Sequence, residues 1–170
     1  AEADYVFISG AGFEQNLLEI IENAGEDVDI QVVSQCVEIL SFGEEDHAEE
    51  THEHEDDSNA AAQCESHHAE LATLIPEAGH KDQAHHDYLY ELECGEHDHE
   101  GDEHPKGCDP HVWQDPRNVM LWTLFIRDAL IAYDPDNADY YRGNANAYLQ
   151  ELAALDAELH EMVSAVPEEN

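Results

Sequence analysis

The hydrophobic pattern of the chain changes character three times. Asp4 to Ser9 (DYVFIS) is a β-branched and aromatic run that stops at Gly10, which predicts a strand and a turn. From Phe13 to Ala24, the apolar residues Phe13, Leu17, Leu18, Ile20, Ile21 and Ala24 recur at spacings of three and four. Gly25 follows as a stop, which predicts an amphipathic helix. Asp29 to Ser34 (DIQVVS) predicts a second strand. A strand, a helix and a strand in that order imply a parallel pair with a crossover helix.

Between about residues 41 and 107 the periodicity fades. Two short patches, Leu71 to Ile75 and Tyr88 to Leu92, are apolar enough to dock on a folded body. The remainder cannot offset its ordering entropy by burial, so most of it is expected to be mobile in the absence of metal. Order resumes at Asp115-Pro116, an N-cap residue followed by a proline suited to the first helical position. Val119, Leu121, Trp122, Leu124, Phe125, Ile126 and Leu130 then make a helix apolar nearly all round, hence buried. Asp134-Pro135 repeats the start signal, and apolar positions from Ala138 to Val166 keep helical spacing as far as Pro167. The expected architecture is α/β: a small parallel sheet flanked by helices, a long His- and acid-rich loop, and a long carboxy-terminal helix. It divides into residues 1–40, 41–107, 108–134 and 135–170.

Charge narrows the partners. Forty-two Asp and Glu stand against five Lys and Arg, a formal net charge of -37. Such a surface repels nucleic acid and anionic lipid and favours cations, although a solubility adaptation accounts for acidity equally well. No run of about 18 apolar residues is present to span a membrane. Nothing at the amino end resembles a signal peptide, so an export signal would lie upstream. The four cysteines, Cys36, Cys64, Cys94 and Cys108, form no CxxC pair. Proximity in sequence favours Cys36 with Cys64 and Cys94 with Cys108 among three possible connectivities, with four buried thiols as the alternative.

Three stretches carry candidate chemistry. Gly10-Ala11-Gly12-Phe13-Glu14 joins a strand to a helix, where backbone amides can cradle a phosphate. Gln15 stands where a dinucleotide fingerprint needs Gly or Ala, and the net charge disfavours an anion, so a tight turn is the better reading. The second stretch is the segment 41–107 itself, which holds eleven of the thirteen histidines and half of the acidic residues. His52 and His54, His67 and His68, His85 and His86, and His97 and His99 sit adjacent or two apart, with His104 beyond. Imidazoles spaced in this way among carboxylates suit zinc, copper or nickel, and point to capture or buffering. A solvated or pH-sensitive spacer is the bland counterpart. There is no HExxH helix, so a metallohydrolase lacks its base; Cys64 and Cys108 are minor candidate metal ligands.

The third stretch is Cys108-Asp109-Pro110-His111-Val112-Trp113-Gln114-Asp115-Pro116, where one histidine is framed by prolines. Pro110 restricts the backbone ahead of His111, which suits a fixed metal ligand as well as a structural histidine. Here the chain resembles the zinc/manganese solute-binding proteins of ABC importers, whose DPHxWxDP signature is matched by Asp109 to Trp113 and Asp115-Pro116. The resemblance extends to Ala3-Asp4 through Glu14 and to the YLxELxxLDxE pattern from Tyr148 to Glu158. The acidic His-rich loop resembles that of the zinc-specific branch.

The resemblance implies two α/β lobes joined by a long helix, with a metal held between them by three histidines and a carboxylate or water. His111 would be one of those ligands. The first family histidine would lie upstream of Ala1, and the third histidine and the carboxylate beyond Asn170. The chain is thus expected to be an incomplete amino-terminal lobe ending in the linking helix. The implied function is extracytoplasmic capture of Zn2+, with Mn2+ second, as a monomer without enzymatic activity, and delivery to an ABC permease. Metal buffering or adhesion through the loop is the alternative.

Overall fold

In the computed structural model, residues 3–14, 17, 20, 28–37, 39, 41–42, 57–75 and 107–166 are described. The chain divides into two compact units, residues 1–65 with 85–112, and residues 66–84 with 113–170.

The first unit is built on β1 (Tyr5–Ile8) and β2 (Asp29–Val32), a parallel pair in the register Tyr5 to Asp29 through Ile8 to Val32. This confirms the parallel sheet inferred from the order of strands. Tyr5 and Phe7, two apart and hence on one face, stack their rings at 6.1 Å. Ile8 and Val32, at the facing ends of the strands, are buried, as are Val33, Cys36 and Val37, which follow β2. The turn after β1 is tight: Gly10, Ala11 and Gly12 all have positive φ. At Gly10 (φ +83) a Cβ would come within 2.5 Å of Val32 Cγ1, so glycine is required by space as well as by conformation. In the region expected to be helical from Phe13 to Ala24, the described residues begin with three-residue turns. Phe13 N–H bonds to Gly10 O, Leu17 N–H to Glu14 O and Ile20 N–H to Leu17 O. The rest of that segment lies outside the described residues.

Two further strands, β3 (Ser41–Phe42) and β4 (Gly107–Cys108), pair antiparallel, Ser41 opposite Cys108 and Phe42 opposite Gly107. They tie together the two ends of the His-rich segment. Within that segment the structure departs from the expected loop, because α1 (Asp57–Leu74) is an 18-residue helix. Its buried residues are Cys64, His67 and Leu71, at spacings of three and four along one side. Two of these three are Cys and His, so the stripe is helical in period without being plainly hydrophobic. Alanines at 60, 61, 62, 69 and 72 supply local helix propensity. Cys64 is bonded to Cys36 with Cα atoms 5.1 Å apart, the first of the two pairings favoured by proximity. Cys94, needed for the second, lies outside the described residues, as does the Tyr88 to Leu92 patch.

In the second unit, α2 (Pro116–Tyr133) and α3 (Ala138–Ser164) form a helical hairpin. The Asp115 side chain accepts from Arg117 N–H at 2.8 Å, so the cap-and-proline start of α2 is confirmed. At Asp134-Pro135 the start signal first yields a short 3-10 turn, Pro135–Asn137, and then the 27-residue α3. Asp134 accepts from Asn137 Nδ2 and Tyr141 Oη across that turn. Met120, Leu121, Leu124 and Phe125 of α2 are buried, with Ala145, Leu149 and Leu152 of α3. On α3, Tyr148, Leu155, Leu159 and Met162 remain exposed, as does Val166 beyond its end.

Ion pairs join the helices of this unit. Arg117 makes a two-pronged bond to Asp156 of α3 at 2.8 and 3.2 Å. Arg127 bonds both oxygens of Glu70 on α1, at 2.7 and 3.1 Å, and both oxygens of Asp128, at 2.7 and 3.1 Å. Asp128 also meets His67 Nε2 at 2.9 Å. Partial burial opposes the charge on Asp128, but the bonds to His67 and Arg127 outweigh it and hold its pKa down at about 2.

Two outcomes follow. Replacing Cys36 and Cys64 together by Ala should lower unfolding free energy by roughly 2–4 kcal/mol, read by urea denaturation under non-reducing conditions. Because the folded pKa of Asp128 lies below its ordinary value, its stabilising share is complete above that ordinary value. It is lost as pH falls from about 4 to about 2. The stability gap between the wild type and Asp128→Asn should therefore close over that interval, and a gap constant down to about pH 2 would contradict the assignment.

A candidate metal-ligand turn

His111 follows β4 within a 3-10 turn, Pro110–Gln114, whose direction Pro110 restricts from the start. His111 sits at φ -82 and ψ 15, outside helical geometry. Its backbone N–H donates to Asp109 Oδ1 at 2.9 Å, and its ring Nδ1 lies 2.6 Å from the same oxygen. The first of these bonds is the local side-chain-to-backbone turn that Asp makes two residues ahead. The backbone bond, followed by the ring bond, holds the Asp109 carboxyl below its ordinary pKa. Next to this pair, Val112 is buried, whereas the His111 side chain is 61% exposed. An anchored backbone thus carries an imidazole that faces outward.

The other predicted ligands have different settings. His67 belongs to α1, is 1% exposed and is engaged by Asp128, so it is an interior group of the helical unit and not part of an open loop. Its Nδ1 is buried without a hydrogen-bond partner. His68 follows it on α1 and is partly buried. Cys64 is committed to a disulfide, which removes it as a thiolate ligand. His52, His54, His85, His86, His97, His99 and His104 lie outside the described residues. Among the described residues, no three His, Cys, Asp or Glu side chains are grouped to hold a metal ion. Among the described candidates, His111 is the one whose imidazole is largely exposed.

Sequence reasoning missed Asp109 as the partner of His111, although an Asp two residues ahead of a turn residue was a readable signal. It also missed the role of Glu14. The Glu14 carboxylate accepts from Ser9 N–H at 2.6 Å and Gly10 N–H at 3.0 Å. These amides belong to the turn considered for phosphate, and an internal anion already occupies them. The glycine turn is accordingly structural.

The described residues form an α/β frame that carries an exposed, backbone-anchored histidine. The family described as "Zinc-uptake complex component A periplasmic" matches residues 1–170, and the chain belongs to that family. It is a family of metal-binding components of ABC importers, not of enzymes. The chain is 28% identical over 169 residues, 99% of its length, to the manganese-binding lipoprotein MntA of Halalkalibacterium halodurans, and covers 36% of that protein. It is 49% identical over 53 residues to the high-affinity zinc uptake system protein ZnuA of Paracoccus denitrificans, which is 31% of this chain and 16% of that protein. Over 61 residues it is 41% identical to the manganese ABC transporter substrate-binding lipoprotein scaA of Streptococcus gordonii, covering 36% of this chain and 20% of that protein. The chain thus spans about a third or less of the length of these relatives. No described helix is long and apolar enough to cross a membrane.

With Glu14 filling the turn, millimolar inorganic phosphate should leave the amide resonances of Ser9 and Gly10 unmoved in a two-dimensional NMR titration. Selective shifts of those two signals would mean that the carboxylate is displaced by an external anion.

Proposed function

We propose that this chain is part of an extracytoplasmic protein that captures Zn2+ and passes it to an ABC-type import permease, acting as a monomer. His111 is the chain's ligand to the transported ion. The observation that carries this reading is the geometry of His111: an outward imidazole on an anchored, proline-restricted turn, with one ring nitrogen engaged by Asp109. Metal-bound histidines commonly carry such an outer carboxylate. The relatives' names include both zinc and manganese, so the preference for zinc rests on this chain's own composition. Imidazole is a better donor for zinc than for the oxygen-preferring Mn2+.

The histidines at 52, 54, 85, 86, 97, 99 and 104 supply further imidazoles that gather zinc, and the carboxylates between them in sequence raise its local concentration. Metal buffering without transport is the second reading. It is favoured by the eleven histidines and half of the acidic residues that fall within 41–107.

Zinc prefers four ligands, and the described residues present one at the turn. Calorimetric titration of the chain should therefore show weak, multi-site zinc uptake that outcompetes Mn2+. A low-affinity component should disappear in His111→Ala. Stronger binding of Mn2+ than of zinc would overturn the metal assignment, and unchanged isotherms in His111→Ala would remove His111 from the site.

A further inference from the structure

The geometry points to Asp109 as a positioning residue that fixes which nitrogen of His111 meets the metal. This inference rests on the reading of His111 as the ligand and deepens it. Asp109 uses a single oxygen, Oδ1, for two bonds: 2.9 Å from the His111 backbone N–H and 2.6 Å from the His111 ring Nδ1. An ionised carboxylate has no hydrogen to give, so the hydrogen in the ring bond belongs to Nδ1. In the neutral ring the lone pair is then on Nε2, the nitrogen on the side away from Asp109. That is the form in which an imidazole can donate to a cation, and the carboxylate makes it a better donor.

The backbone bond adds what the ring bond cannot supply alone. Because Oδ1 is also held by the main chain of His111, the carboxylate and the imidazole are parts of one closed turn. Rotation of the ring away from this orientation would break the ring bond while the backbone bond kept Asp109 in place. The sequence fits this division of labour: Pro110 lies between the two residues and restricts the path that connects them. The side-chain exposures, 61% for His111 and 29% for Asp109, place the more open member of the pair outward. Asp109 therefore acts through His111 and is not itself assigned a bond to the metal.

The test uses the chain labelled with 15N at histidine and long-range proton–nitrogen correlation of the His111 ring, without metal, at about pH 8, where an ordinary imidazole is neutral. The expected tautomer is Nδ1–H. Asp109→Asn keeps an oxygen for the His111 backbone N–H and so preserves the turn, which the amide shift of Val112 would verify. It should move the ring partway toward the Nε2–H form, and Asp109→Ala should move it further. A wild-type ring already in the Nε2–H form, or one unchanged across both variants, would overturn the assignment.

A zinc titration followed at the same ring separates this inference from the one beneath it. Zinc should perturb Nε2 directly, and Asp109→Asn should weaken that binding by about 10- to 100-fold. Direct perturbation of Nδ1 would again overturn the positioning role. The expected tautomer series with no zinc effect on either ring nitrogen would instead overturn the reading of His111 as a ligand.

Discussion

A shortage of positive charge shapes the second unit. With five Lys and Arg against forty-two Asp and Glu, carboxylates brought together by folding have few cations to neutralise them. Its three arginines are all committed: Arg117 to Asp156, Arg127 to Glu70 and Asp128, and Arg142 to Asp139. The first two bridge separate helices and are half-sheltered from solvent, where such bonds are stronger than exposed ones. The pair Arg142 and Asp139 lies within one helical turn in water, where it contributes little. The apolar residues of the hairpin supply the burial, while the two sheltered arginines allow it to occur under so large a like-charge surplus.

Where periodicity and punctuation agreed, the sequence was a sufficient guide. DYVFIS and DIQVVS became paired parallel strands, and the cap-and-proline signal at Asp115-Pro116 opened a helix, although it buries Met120, Leu121, Leu124 and Phe125 and leaves Val119, Trp122, Ile126 and Leu130 half-buried, not enclosed all round. Helix α1 was not legible, because its inward stripe is made from Cys64, His67 and Leu71. A hydrophobic scale scores histidine as polar, and only a tertiary partner, Asp128, makes its burial tolerable. The pairing of Ser41 and Phe42 with Gly107 and Cys108 was equally hidden, since a two-residue bridge between distant positions leaves no periodic trace.

The candidate site was legible as residue types and incomplete as geometry. The framed histidine of DPHVWQDP stood out, and the structure gives it an outward side chain and an inward main-chain anchor. The double use of Asp109 Oδ1 depends on the turn's backbone angles, which residue identities alone do not specify. His67 shows the opposite case. Grouped by adjacency with the loop histidines, it proved to be an interior residue, because nearness in sequence says nothing about which side of a helix a residue occupies.

The bridge between β3 and β4 also bears on how such a protein can change over time. Chain leaves the sheet at Phe42 and re-enters it at Gly107, so residues 76–106 run from the end of α1 back to a fixed point of return. The entropy of closing a chain between two fixed points grows with length by only about 0.6 kcal/mol for each doubling. Length between these points can therefore change at little entropic cost, while the turn at 109–111 begins immediately after the return. Histidine content between the strands and the geometry of the His111 turn are consequently separable traits, able to change at different rates in one polypeptide.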